Sequence, residues 1–187
     1  MNRVGAWIAV TVVAFMVVGG MLHFPGTLDG DGPALGPVIL GGMTGLLIGG
    51  AQLVVLRRLL RHPWHWPAAS AIGIAVTHAI GDGVSADVGY VPVAIIGGLA
   101  TGALQAAVLR VPLWAVATTL AFAIGIAGGH ALGFALGFNS IFPDDAVARG
   151  LIILGLTATL YALFTAPLFA RMSRKNGVPI LGSNGAA

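Results

Sequence analysis

The sequence predicts an all-α integral membrane protein with six transmembrane helices and both termini cytoplasmic. Three observations predict it. Of the 187 residues, 57% are apolar and only 8% are charged, where an ordinary soluble domain carries about 25% charge. Apolar runs of about 18 residues or more recur along the whole length, which is the reach of a membrane-spanning helix. The basic residues fall almost entirely on one side of a six-span arrangement.

Each span is bounded by turn chemistry. Spans are expected at 4–22, 33–57, 66–83, 90–110, 113–138 and 149–170. The breaks follow Pro25-Gly26, Asp29 to Pro33, Pro63 to Pro67, Asp82 to Pro92, Pro112, and Asn139 to Asp145, where residues that favour turns or cannot continue a helix accumulate. The first stretch begins with Arg3 and runs apolar from Gly5 to Leu22. It is long for the core of a cleaved leader and no A-x-A-like site follows, so a retained first span is expected. Residues 1–175 form one membrane domain, and 176–187 a short flexible tail.

Charge sets the direction. Arg3, Arg57, Arg58, Arg61, Arg110, Arg171, Arg174 and Lys175 share one side, and Arg149 alone is opposite. Lys and Arg are retained on the cytoplasmic face, which places both termini inside and the chain in the cell's inner (cytoplasmic) membrane. The six acidic residues, Asp29, Asp31, Asp82, Asp87, Asp144 and Asp145, fall in outer loops or at helix ends. No carboxylate, Lys or Arg sits at mid-membrane, which weighs against an ion or proton pump. The basic residues form no stripe suited to nucleic acid. With no cysteine in the chain, disulfides and thiolate metal sites are excluded.

The chain repeats itself. "GLLIGGAQLVVLR" at 45–57 and "GLATGALQAAVLR" at 98–110 share the pattern G-x3-G-x2-Q-x2-V-L-R. A Trp follows each (Trp64/Trp66 and Trp114), then "AIGIAVTHAIG" at 71–81 or "AIGIAGGHALG" at 123–133, alike at eight of eleven positions. Two parallel copies of one helical hairpin result, 33–83 and 90–138. Residues 1–22 plus 149–171 supply a possible split third copy, because Trp7 precedes His23 by sixteen residues as Trp114 precedes His130. Three hairpins would close with pseudo-threefold symmetry. Gly45, Gly49 and Gln52 share one helix face, as do Gly98, Gly102 and Gln105. Such faces let backbones approach closely, with Gln bonding across the contact. Trp7, Trp64, Trp66 and Trp114 read as an interfacial belt.

The repeated hairpin, with Tyr161 and Thr165 in the last span, resembles a broad group of small bacterial multi-span membrane proteins with no established activity. The resemblance covers most of spans two to six. Leu53 and Ala106 stand where that group carries Trp after the Gln, and Ala166 where it carries Gly after the Thr. His78 and His130 replace residues that are apolar or aromatic in the group.

Those histidines are the candidate ligands. A neutral imidazole offers a nitrogen to a metal, and the small neighbours Ala75, Thr77, Ala79, Gly128, Gly129 and Ala131 leave room for a flat macrocycle. His78 and His130 are therefore expected to bind haem b or a (bacterio)chlorophyll-type pigment. With His23 they form the alternative three-histidine zinc or copper site. A structural role, with no cofactor, is the competing reading: His78 stands four residues before Asp82, within i,i+4 reach. His62 and His65 belong to a headgroup-contacting inner loop. No catalytic constellation is present: neither P-loop, H-E-x-x-H, nor a D-x-D-x-D-G calcium loop.

The predicted function is a non-catalytic membrane subunit carrying a tetrapyrrole in an electron-transfer or light-harvesting complex. The alternatives are a structural accessory subunit and a small-solute channel. Expected partners are the lipid bilayer and other membrane subunits or a second copy. The topology is directly testable in this cysteine-free chain. A membrane-impermeant maleimide should label Asp31→Cys in intact cells, and Ser183→Cys only after permeabilisation.

Overall fold

The computed structural model describes residues 3–22, 35–88, 90–135 and 146–175. Six helices account for most of them: α1 Arg3–Leu22, α2 Leu35–Leu56, α3 His65–Val88, α4 Tyr90–Leu109, α5 Leu113–Ala135 and α6 Ala146–Lys175. There is no strand among the described residues. Three helical stretches are long and apolar enough to cross a membrane, Gly36–Leu56, Val91–Leu109 and Leu154–Lys175. Arg3–Val18 and Leu113–Gly129 are apolar but shorter. α3 is not among these; Ser70, Thr77, His78 and Asp82 dilute its apolar character.

Two boundaries differ from the sequence expectation. The stretch 82–92, expected as a loop, continues α3 to Val88, and α4 begins at Tyr90. Pro92 falls in the first turn of α4, where its missing N–H costs nothing. α4 ends with Arg110 at φ 57° and Val111 N–H donating to the Ala106 carbonyl at 3.1 Å. This is a Schellman-type cap with Arg where Gly is usual.

Each helix packs against its neighbours in chain order, and α6 returns to α1, so the six close into a ring. Neighbouring helices run antiparallel. Along α2, Gly41 meets Ile74 and His78, Gly45 meets Ser70 and Ala71, and Gly49 meets Pro67 and Ser70. The next junctions repeat the device: Gly73 on Thr101, Gly97 on Thr77, Gly98 on Thr119 and Phe122, Gly102 on Ala115 and Thr118, and Gly125 on Thr157. Side chains at these glycines would occupy the neighbouring helix. A Cβ at Gly102 would lie 2.9 Å from the Ala115 Cα and carbonyl oxygen. The stripes work because van der Waals contact, not water exclusion, holds helices together in lipid.

Gly50 differs, since a Cβ there meets nothing within 4 Å. Substituting Ala should therefore split the two classes. Gly50→Ala should raise stability by up to ~1 kcal/mol through helix propensity. Gly45→Ala should lower it by about 1–3 kcal/mol through overpacking. Thermal unfolding in one detergent measures both.

Candidate functional site

The residues at the centre come from three helices in matching order. α1, α3 and α5 each present a Trp, a hydroxyl one turn later and a large apolar side chain two turns later: Trp7-Thr11-Phe15, Trp66-Ser70-Ile74 and Trp114-Thr118-Phe122. The spacing i, i+4, i+8 keeps all three on one helix face. All three faces point inward, and the Trp side chains have no exposed surface. Their ring centroids lie 6.3 Å (Trp7–Trp66), 5.6 Å (Trp7–Trp114) and 5.6 Å (Trp66–Trp114) apart, each pair edge to face. Phe169 stacks on Trp7 at 5.5 Å, and Tyr161 lies 6.1 Å from Trp7 and 6.4 Å from Trp114. Edge-to-face pairs at these separations are favourable beyond the area they bury.

The interfacial belt expected of the tryptophans is thus corrected. Only Trp64 is exposed, at 77%. The other three form a plug, because each faces the ring interior and each indole N–H finds an acceptor there.

α2, α4 and α6 supply those acceptors. Trp66 Nε1 donates to Gln52 Oε1 and Trp114 Nε1 to Gln105 Oε1, both at 3.1 Å. Trp7 Nε1 donates to Thr165 Oγ1 at 3.0 Å. An indole can only donate, so each Gln turns its oxygen to the Trp and its amide N–H2 the other way. Gln52 Nε2 then donates to Thr11 Oγ1 at 3.2 Å, and Gln105 Nε2 to Ser70 Oγ at 2.9 Å. Tyr161 Oη adds a second donor to Gln105 Oε1 at 2.9 Å. Each Gln therefore ties its own hairpin's Trp to the hydroxyl of the preceding helix. The third position holds Thr165, which is too short for this; it donates to the Tyr161 carbonyl at 2.6 Å. Thr118 Oγ1, the third hydroxyl, has no hydrogen-bond partner among the described residues.

Beyond the tryptophans lies a cavity of about 10 Å³, roughly the room one water needs. Gln52, Ser70, Thr101, Gln105 and Tyr161 give it polar walls, and Phe15, Ile48, Ile74 and Phe122 apolar ones. Among the described residues, the buried polar side chains are threonines, serines and glutamines, which carry no charge.

The predicted site residues separate. Gly45, Gly49, Gln52, Gly98, Gly102 and Gln105 lie at helix contacts, the two Gln in the central network. His78 lies elsewhere, half-buried against Gly41 of α2, with Nδ1 3.0 Å from the Ile74 carbonyl. A carbonyl only accepts, so Nδ1–H is the donor in this contact. The contact runs back one turn to Ile74, where Asp82 was the expected partner; the Asp82 side chain lies outside the described residues. So do the His130 side chain and the whole of His23. Among the described residues no three His, Asp or Glu gather as a metal site would need.

Measured from the tryptophan plug, the two histidine positions are not level. His78 is twelve residues past Trp66 and His130 sixteen past Trp114. At ~1.5 Å per residue the second stands about 6 Å further along its helix. Sequence reading missed the hub formed by Thr11, Ser70, Tyr161 and Thr165, although the common interval from Trp to hydroxyl was the signal for Thr11 and Ser70.

No family model, no curated protein and no solved structure matches the chain.

Loss of a Gln should cost in proportion to what it serves. Gln105→Leu strands Trp114, Ser70 and Tyr161, whereas Gln52→Leu strands Trp66 and Thr11. Each orphaned buried group costs about 1–3 kcal/mol, and interhelical bonds in membranes average nearer 0.6 kcal/mol. Unfolding in detergent should show Gln105→Leu losing about 2–4 kcal/mol, and Gln52→Leu less.

Proposed function

We propose that the protein is a six-span, non-catalytic subunit of a larger membrane assembly, built from three helical hairpins with both termini cytoplasmic. Its role is structural: a preformed, closed ring whose apolar outer wall packs against other membrane subunits. Its interior is spent on holding the ring shut. The observation that carries this reading is the filled axis. Three indoles occupy it with every N–H bonded, and the surrounding buried polar groups are uncharged. That arrangement disfavours a solute path along the axis.

The six-span reading draws on the packing. α3 lies between α2 and α4, antiparallel to both. A helix flanked along its length by two spanning helices travels the same depth, and its polar side chains find protein partners in place of lipid. The split third hairpin is supported by α1, whose Trp7-Thr11-Phe15 face matches those of α3 and α5. Thr165 on α6 takes the place of the Gln.

A specific observation keeps tetrapyrrole binding as a second reading. The Nδ1 contact of His78 is to a carbonyl, which leaves Nε2 as the nitrogen through which a neutral ring would ligate haem iron or chlorophyll magnesium. The small neighbours on α3 suit a flat ring. α3 and α5 are separated by α4 in the ring and the histidine positions differ in height, so each histidine would hold its own macrocycle.

The two readings part on colour. Gently extracted from its native membrane, the protein should be colourless in oxidised and dithionite-reduced spectra. It should migrate with other chains above its own 18.8 kDa. In liposomes it should pass no small solutes. A reduced-minus-oxidised or pigment band that disappears in His78→Ala would favour the second reading and overturn the first.

A further inference from the structure

We propose that the outer groove between α1 and α2 is a binding site for one anionic glycerophospholipid. An acyl chain lies in the groove and the phosphate sits against the arginines at its cytoplasmic mouth. This rests on the membrane reading and not on the subunit role.

The α1–α2 junction is unlike the other five. Glycine contacts close four of these, and Trp7, Phe15 and Phe169 close α1 on α6. α1 and α2 pack more sparsely than any other neighbours in the ring, with the Gln52–Thr11 hydrogen bond on the inner side. Outside it a groove of about 600 Å³ remains open. Val13, Val17, Leu47 and Val54 are its exposed walls, and Ala9 and Ala51 its floor.

The lining chooses the occupant. Helices meet in membranes through small and polar residues, and this chain's own junctions follow that rule with Gly, Ser and Thr. The groove has no Gly, Ser or Thr, and its small residues are the alanines Ala9, Ala14 and Ala51. It is walled by branched aliphatic side chains, which a flexible acyl chain can follow and a second helix backbone cannot approach closely.

The mouth chooses the headgroup. Arg57 is one turn beyond Val54, and Arg57, Arg58 and Arg61 are all exposed. Arg3 opens α1, six residues before Ala9. Guanidinium groups pair with phosphate oxygens in a fork that an ammonium does not offer. The exposed Trp64 anchors the same loop at headgroup depth. Both kinds of lipid bring a phosphate to the mouth, but in a zwitterionic one the headgroup's own ammonium offsets its charge, so the arginines favour the anionic lipid.

The test is native mass spectrometry of the purified full chain, titrated with phosphatidylglycerol and, separately, phosphatidylcholine. One phosphatidylglycerol should bind per chain, at least fivefold more tightly than phosphatidylcholine. Arg57→Gln/Arg58→Gln should erase that preference while leaving chain binding, since a basic residue near an anionic surface contributes ~1 kcal/mol, or about fivefold. Val13→Trp should abolish binding of both lipids. Its side chain is 59% exposed, so the substitution fills the groove without touching the core, and Val54→Trp repeats the test from α2. Equal binding of both lipids to the wild-type protein, or binding that survives both Trp variants, would overturn the proposal. A dimer in which Val13→Cys chains cross-link through the groove would overturn it too. Those outcomes leave the membrane topology standing, because maleimide labelling decides it independently.

Discussion

Three indole N–H groups must be satisfied in a place without water. That constraint organises the molecule. Each Trp is a large apolar body with one donor and no acceptor, so placing three at the centre requires three acceptors at the same level. α2, α4 and α6 provide Gln52, Gln105 and Thr165 there. Once the acceptors are placed, the pairing of helices follows. The glycine faces then bring the helices close enough for the bonds to form. The contribution of any one such bond is small; the specificity comes from their mutual dependence, since Gln52 serves two helices besides its own and Gln105 three.

The departure from symmetry is informative in the same terms. Where α2 and α4 use Gln, α6 uses Thr165, and Tyr161 fills the space one turn away. Tyr161 redirects the network by donating to Gln105. Thr118 is left without the amide that its counterparts Thr11 and Ser70 receive. The α1 and α6 helices are joined by aromatic packing where the others rely on glycine. The α1–α2 side of that seam is the one left open on the outside. The groove is thus a consequence of how the ring is closed, and the arginines beside it lie where the charge asymmetry of the chain already concentrates them.

Much of this architecture was legible from the residues. Apolar runs and turn residues located the helices to within a few positions, and the repeated G-x3-G-x2-Q pattern lay on faces that meet neighbouring helices. What misled was orientation. A Trp near a helix start reads as interfacial because most such residues are, and hydropathy carries no information on which way a side chain points. The inward turn was encoded in the four-residue interval from Trp to Thr11, Ser70 and Thr118, which becomes meaningful only when a Gln on the next helix is matched to it. The histidines pose a different problem. Their flanking segments align in sequence, yet the distance from each Trp differs by one helical turn, so the two positions stand at different heights along their helices. Tyr161 and Thr165 were visible only as part of a resemblance, because their partners are more than fifty residues away.

The central claim is that Trp7, Trp66 and Trp114 fill the axis and do not ring the membrane surface. The direct measurement is tryptophan fluorescence of the Trp64→Phe protein, which retains only those three, in bilayers carrying brominated lipids and then with acrylamide. A filled axis predicts emission that neither quencher reaches, because protein surrounds the indoles on all sides. Strong quenching by lipid-borne bromine at the interface would place the indoles in a surface belt and contradict the account.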